Sequence, residues 1–122
     1  MEIINSEKAP EPVGPYSHAV RAGEFVFVSG QIPLKNGAVP ENFEDRVRAV
    51  IENVRAILNS CGLDLNNVVK TTVYLTDLSK FQEFNRVYAE YFRHRPARAV
   101  VEVRKLPKNV DIEMEVIAHA IS

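Results

Sequence analysis

Apolar residues recur along this chain with two periods, two residues in some stretches and three to four in others. Ser17–Ala22 and Glu24–Ser29 read as strands joined around Gly23, and the second carries Phe25, Val26, Phe27 and Val28 in succession, so both of its faces need cover. Lys35-Asn36-Gly37 predicts a tight turn inside a loop running from Gly30 to Pro40. From Asn42 the period becomes helical: Phe43, Val47, Val50, Ile51, Val54, Ile57, Leu58 and Cys61 form one stripe that ends at Gly62. Val68–Thr76 alternates again and predicts a central or near-central strand. Ser79 with Gln82 has the spacing of a capping box, and Phe81, Phe84, Val87, Tyr88, Tyr91 and Phe92 trace a second helix that Pro96 ends. Ala97–Leu106 and Asp111–Ala120 read as a closing hairpin turning through Pro107-Lys108-Asn109, which would put Arg98 and Glu113 on one outer face. Before all this, Pro10, Pro12 and Pro15 around Gly14 fix several φ angles and remove backbone donors, predicting an irregular arm.

The resulting order is β-β-α-β-α-β-β, with a short additional strand at Ile3 and Ile4, and the fold class is α+β: a mixed sheet with two helices packed on one face. Several strands are apolar on both sides. The face without helices is therefore expected to meet another copy of the chain, because an exposed apolar sheet of that size aggregates.

Composition narrows the function classes. With 122 residues, 46% of them apolar, the chain is long enough for one self-supporting domain spanning 1–122. Fifteen Lys and Arg against sixteen Asp and Glu leave a formal net charge of −1, which lacks the cationic excess that nucleic-acid binding uses. No stretch reaches the ~18 apolar residues of a membrane span, and the first residues carry no signal-peptide pattern. The single cysteine, Cys61, cannot form an internal disulfide; the expectation is a cytoplasmic protein with no nucleic-acid or membrane partner.

Arg98 is the most informative side chain. A guanidinium on a strand among Ala and Val needs an anion, and two anions are open: a protein acid in a structural ion pair, or a ligand carboxylate gripped bidentately. Glu113, within an acid–apolar alternation, is either an ion-paired strand residue or a partly buried carboxyl suited to moving protons. Tyr16, after Gly14-Pro15, packs a turn or presents its hydroxyl at a pocket. Ser29-Gly30 closes a buried strand and lacks the Gly-x-Ser-x-Gly frame of a nucleophile elbow. His18, His94 and His119 have no metal-ligand spacing, there is no phosphate loop or dinucleotide fingerprint, and Cys61 belongs to the helix stripe. The residues alone do not identify a reaction.

Several motifs in order over nearly the whole chain do. Gly14-Pro15-Tyr16-Ser17-His18-Ala19, Val28-Ser29-Gly30-Gln31-Ile32-Pro33, Asn53-Val54-Arg55-Ala56-Ile57-Leu58, Lys70-Thr71-Thr72-Val73-Tyr74-Leu75, Phe84-Asn85-Arg86-Val87-Tyr88, Arg95-Pro96-Ala97-Arg98, Leu106-Pro107-Lys108 and Ile112-Glu113-Met114-Glu115 together resemble the reactive-intermediate-deaminase (Rid, or YjgF) family. The resemblance implies a chorismate-mutase-like fold, a homotrimer with clefts between subunits, and hydrolysis of enamine and imine intermediates such as 2-aminoacrylate and 2-iminobutanoate to 2-keto acids and ammonia. It implies no metal and no cofactor. Carried over by position, Arg98 matches the arginine that grips the substrate carboxylate and Glu113 the acid beside the attacking water. Tyr16, Ser29, Gly30 and Asn85 match pocket-lining positions. Val100 departs from the pattern, standing where many active members have cysteine, so a thiol-dependent step there is excluded. The alternative is a non-catalytic module of the same fold that binds or senses small carboxylates. A ribonuclease or translation-inhibitor role, attached to some relatives, fits poorly with the charge balance.

Overall fold

The computed structural model describes residues 1–120. Six strands form one mixed sheet: β1 Glu2–Ile4, β2 Ala19–Ala22, β3 Phe25–Gln31, β4 Val68–Leu75, β5 Ala97–Glu102 and β6 Ile112–His119. Two helices, α1 Phe43–Asn59 and α2 Phe81–Tyr91, follow β3 and β4. Across the sheet the order is β1-β2-β3-β6-β4-β5.

Local chemistry accounts for the elements. The Asn42 side chain accepts the Asp45 N–H at 2.8 Å and starts α1, with Glu44 and Asp45 in the first turn where the helix dipole favours acids. Gly62, at φ +81°, reverses the chain after the helix while the Leu63 N–H bonds back to the Leu58 carbonyl at 2.9 Å. Asn36 and Gly37 both adopt positive φ in the predicted turn, closed by Lys35 and Ala38. The predicted capping box does not form: Ser79 lies within a 3₁₀ turn, where the Asp77 carboxylate accepts its N–H at 2.9 Å, and α2 starts directly from that turn.

The closing hairpin is also corrected. β5 does not pair with β6; it runs parallel to β4, with Arg98 opposite Thr71, as the β4-α2-β5 crossover requires. β6 instead lies between β3 and β4, antiparallel to both. Its Ile112, Met114, Val116 and Ala118 are all buried, which a central position demands, whereas Ala97, Arg98, Val101 and Glu102 of β5 are exposed at the edge.

Both helices cover the same side. Val47, Val50, Ile51, Val54, Ile57 and Leu58 of α1 and Phe84, Val87 and Tyr88 of α2 pack on Val26, Val28, Val73, Leu75 and the inner face of β6. Cys61 packs against this cluster, and burial pushes its thiol pKa up. On the other side Phe25 and Phe27 remain 41% and 42% exposed, and Val101 and Val69 are open as well.

Two ion pairs on Asp111 tie the helix layer to the start of β6, a long one from Lys80 Nζ at 3.6 Å and a close one from Arg46. Arg46 grips Asp111 with two bonds, Nε to Oδ1 at 3.0 Å and Nη2 to Oδ2 at 2.9 Å, while its Nη1 reaches the Pro40 and Glu41 carbonyls. The two side chains are 15% and 24% exposed, so the pair is only partly solvated. Arg46→Leu leaves Asp111 and two carbonyls without these donors. We expect a loss of about 2 kcal/mol, below the ~3–5 kcal/mol for breaking a fully buried pair, read from the guanidinium unfolding midpoint.

Candidate functional site

The predicted site residues fall into two groups. Tyr16, Ser29, Gly30 and Glu113 form the first. Opposite β6, the three steps from Val28 to Gln31 face two from Val116 to Met114, so Ser29-Gly30 is a β-bulge. The bulge presses Gly30 against Glu113: a Cβ built on Gly30 would sit 2.5 Å from Glu113 Oε2 and 2.9 Å from its Cδ. A side chain at position 30 would have to push the Glu113 carboxylate aside, so glycine here leaves that carboxylate its place; the backbone angle makes no demand. The Ser29 hydroxyl donates to the Ser17 carbonyl at 2.7 Å, which leaves its lone pairs for an incoming donor. The Tyr16 hydroxyl accepts the Val13 N–H at 3.3 Å, keeping its own proton to give.

Tyr16, Gly30 and Glu113, with Pro10, Val13 and Pro107, bound a pocket of about 40 Å³. That is room for water and too small for a substrate. Burial raises the pKa of the Glu113 carboxyl above the ordinary 4.5, and the nearby Glu115 charge pushes it the same way. Beside them the Tyr74 hydroxyl bonds Glu115, which with burial holds the phenol at about 12.

Two residues that sequence reasoning did not single out hold this group in place. His18 is buried; its Nδ1 accepts the Ser6 N–H at 2.9 Å and its Nε2 donates to the Pro10 carbonyl at 2.6 Å, pinning the proline-rich arm that walls the pocket. Asn53, buried on α1, donates to the Ile32 and Leu34 carbonyls at 3.1 and 3.0 Å and secures the loop after Gly30. A histidine beside the prolines, and an asparagine on a helix's apolar stripe, were the available signals.

Arg98 and Asn85 form the second group. Arg98 Nη1 donates to Asn85 Oδ1 at 2.8 Å, and the guanidinium lies 4.9 Å from the Tyr88 ring centroid and 5.6 and 5.7 Å from those of Phe81 and Phe84. The Tyr88 hydroxyl is itself fixed by Thr71, at 2.8 Å. Among the described residues no carboxylate comes within ion-pair distance of Arg98, so the structural ion pair is not the partner found. Arg98, Asn85 and Tyr88 line a hollow of about 470 Å³. Val100, opposite Val73 on the same strand face as Arg98, packs against the core.

The two groups do not meet within one chain, and the shared outer face expected for Arg98 and Glu113 is corrected. Arg98 pairs with Thr71, whose side chain is buried beneath the helices, whereas Glu113 pairs with Tyr74, three residues on and therefore on the opposite face. A larger hollow of about 700 Å³, between Lys35, Arg48, Glu52 and Tyr91, contains none of the predicted residues. Among the described residues there is no group of three or more His, Cys, Asp or Glu placed to hold a metal, and no helix long and apolar enough to cross a membrane.

Comparison with known proteins supplies the frame for these groups. The Endoribonuclease L-PSP family pattern matches residues 6–120. A RutC family protein of Pyrococcus horikoshii is 51% identical over 97% of this chain and 97% of its own. An Escherichia coli relative named "Putative reactive intermediate deaminase TdcF" is 42% identical over 96% and 95%. The crystal structure of E. coli TdcF with bound serine superposes with a TM-score of 0.93 at 40% identity, covering 98% of both chains, and that of RidA from an Antarctic Psychrobacter with 0.94 at 40%, covering 98% and 99%.

The raised Glu113 pKa sets a sign for stability. A carboxyl whose folded pKa lies above its unfolded value costs nothing while protonated in both states, and destabilises the fold as pH rises through the two values. Glu113→Gln is therefore expected to raise the melting temperature relative to the parent at pH 7 and to lose that advantage near pH 4, in paired thermal melts; an advantage independent of pH would contradict the assignment.

Proposed function

The chain belongs to the Endoribonuclease L-PSP (YjgF/Rid) family, and from that premise we propose that it hydrolyses small 2-imino acids, and the enamines in equilibrium with them, to 2-keto acids and ammonia. We further propose that it does so as a homotrimer whose clefts join Arg98 and Asn85 of one copy to Glu113, Gly30, Ser29 and Tyr16 of the next. The observation that carries this is the division of the site. One sheet face offers a cation with room for a carboxylate but no proton carrier; the other offers a proton carrier with room for little more than water. A second copy set against the open apolar face, with Phe25, Phe27 and Val101, would complete either half. The E. coli structure named for bound serine supports a ligand bearing an α-carboxylate.

In the proposed reaction Arg98 and Asn85 hold the carboxylate, fixing the imine carbon over the small pocket. An enamine first takes a proton from water at its β-carbon to become the iminium, the protonated imine. The water oxygen then adds to C2 while Glu113, as carboxylate, accepts the water's proton. Glu113 passes that proton to the nitrogen, the C–N bond breaks and ammonia leaves, and Glu113, again a carboxylate, takes the remaining hydroxyl proton to give the keto group. A carboxyl with a raised pKa takes and returns a proton near neutrality more readily than an ordinary one. Val100 contributes bulk and dryness to the Arg98 side. Cys61, reduced and packed in the core, fits a cytoplasmic setting.

The test couples a threonine dehydratase to semicarbazide trapping. Adding the protein is expected to suppress semicarbazone formation; trapping unchanged at equal dehydratase activity defeats the deaminase reading, and carboxylate binding without turnover would then favour the non-catalytic module. Arg98→Lys keeps the charge and loses the fork, and is expected to lower kcat/KM about 100-fold, the ~2–3 kcal/mol of a charge-assisted bond. Sedimentation at micromolar concentration should give three times the 13.8 kDa chain mass; a monomer would refute the shared cleft.

A further inference from the structure

The Arg98 hollow holds more positive charge than an α-carboxylate uses. Arg93 and Arg95 line it together with Arg98, while its other walls, Asn85, Tyr88, Ala89, Phe92 and Pro96, bring no acid. Among the described residues neither Arg93 nor Arg95 has a carboxylate within 4.0 Å, although other arginines of this chain, the part-buried Arg48 and Arg55 and the exposed Arg86, do. Three arginines thus line one hollow of about 470 Å³ with no acid among its walls, a charge arrangement that favours anions there.

The segment bearing the extra two is also held in a fixed shape. Arg95 sits at φ +54°, a conformation unfavourable for a residue with a side chain and more so before a proline. Its N–H bonds the Phe92 carbonyl at 3.2 Å, and the neighbouring His94 ring reaches the Val68 carbonyl at 2.8 Å, so the turn is anchored at both levels. Backbone held in a sparsely populated region beside a charged hollow is the kind of arrangement found at ligand clamps.

We infer that the arginine hollow selects substrates with two carboxylates: the α-carboxylate on Arg98 and a second, at the far end of a short side chain, on Arg93 and Arg95. The preferred class is then the 2-imino dicarboxylates, with 2-oxo dicarboxylates as products. This rests on the deaminase reading of the same site and adds its specificity. The chemistry balances as before: water adds to C2, the C–N bond breaks, ammonia leaves, and the second carboxylate is unchanged.

The test uses the full-length protein in two arms. Calorimetry compares 2-oxoglutarate with 2-oxobutanoate; the dicarboxylate should bind at least about tenfold more tightly at low salt, with the difference shrinking as salt rises. Arg93→Gln/Arg95→Gln should bring the ratio of the two affinities towards one, with its fold checked by circular dichroism and melting. In the kinetic arm, an amino-acid oxidase with catalase generates 2-iminoglutarate or 2-iminobutanoate, and semicarbazide traps each; kcat/KM should favour the dicarboxylic imine, and the double variant should erase that preference. If 2-iminobutanoate is hydrolysed and the dicarboxylic form gains nothing in either arm, this inference is overturned while the deaminase reading stands. If neither imine is accelerated but the binding ratio depends on the two arginines, the selectivity stands and the deaminase reading falls. Single-stranded RNA that displaces 2-oxoglutarate at lower concentration than 2-oxobutanoate does would make the cluster a phosphate surface and overturn the inference as well.

Discussion

Strand β6 is inserted between β3 and β4, and the geometry of both site groups follows from that insertion. It makes the strand central, so alternate residues from Ile112 to Ala118 must be buried beneath the helices. Glu113, one residue out of phase, is thereby committed to the open face, where the Ser29-Gly30 bulge of β3 closes over it. The same insertion sends β5 to the edge beside β4, where Arg98 can turn under α2 and meet the rings of Phe81, Phe84 and Tyr88. Arg46 and its bond to Asp111 hold the entry to β6, linking the register of the acid to the first turn of α1.

The electrostatics of the two groups are complementary in kind. Arg98 is supported by neutral partners, an amide oxygen and three aromatic faces, which orient the guanidinium without using up its charge. A protein carboxylate in that place would have had to be displaced by any anionic ligand. Glu113 is treated in the opposite way: it is given little solvent and a like-charged neighbour in Glu115, and its ionised form is disfavoured. A stable cation and an easily neutralised acid are the two properties that binding a carboxylate and moving a proton need.

Much of this was legible in the chain. Helix α1, the Asn36-Gly37 turn, the alternation of β4 and β6 and the uncovered apolar face all follow from side-chain period and turn chemistry. What failed were steps that assume neighbours in sequence are neighbours in space. The stretch between Glu102 and Ile112 is too long and too rich in its own turn for a simple hairpin, and the completely apolar inner face of β6 was the sign that it belongs in the centre. Ser79 does not cap α2 because it lies inside a 3₁₀ turn that Asp77 caps through the Ser79 N–H, and α2 continues from that turn with no side-chain cap of its own. Arg98 and Asn85 were legible as residues but their pairing was not, since it depends on how α2 packs over β5. The arm-pinning role of His18 is equally a tertiary fact, invisible until Ser6 and Pro10 are brought to its ring.

The open face explains why the proposed site should be divided at all. Phe25, Phe27, Val69 and Val101 are each about two-fifths exposed on the face without helices, and covering them by a second copy would be favoured by burial whether or not any chemistry is performed. Placing the proton carrier at the rim of that face and the carboxylate holder on the far side of the edge strand makes the association that hides the apolar surface also the step that would assemble a cleft. Under the proposed function, stability and activity then draw on one interface. A polar substitution at Phe27 would act on both through loss of contact between copies, with the fold of each chain, whose core lies on the other side of the sheet, left largely undisturbed.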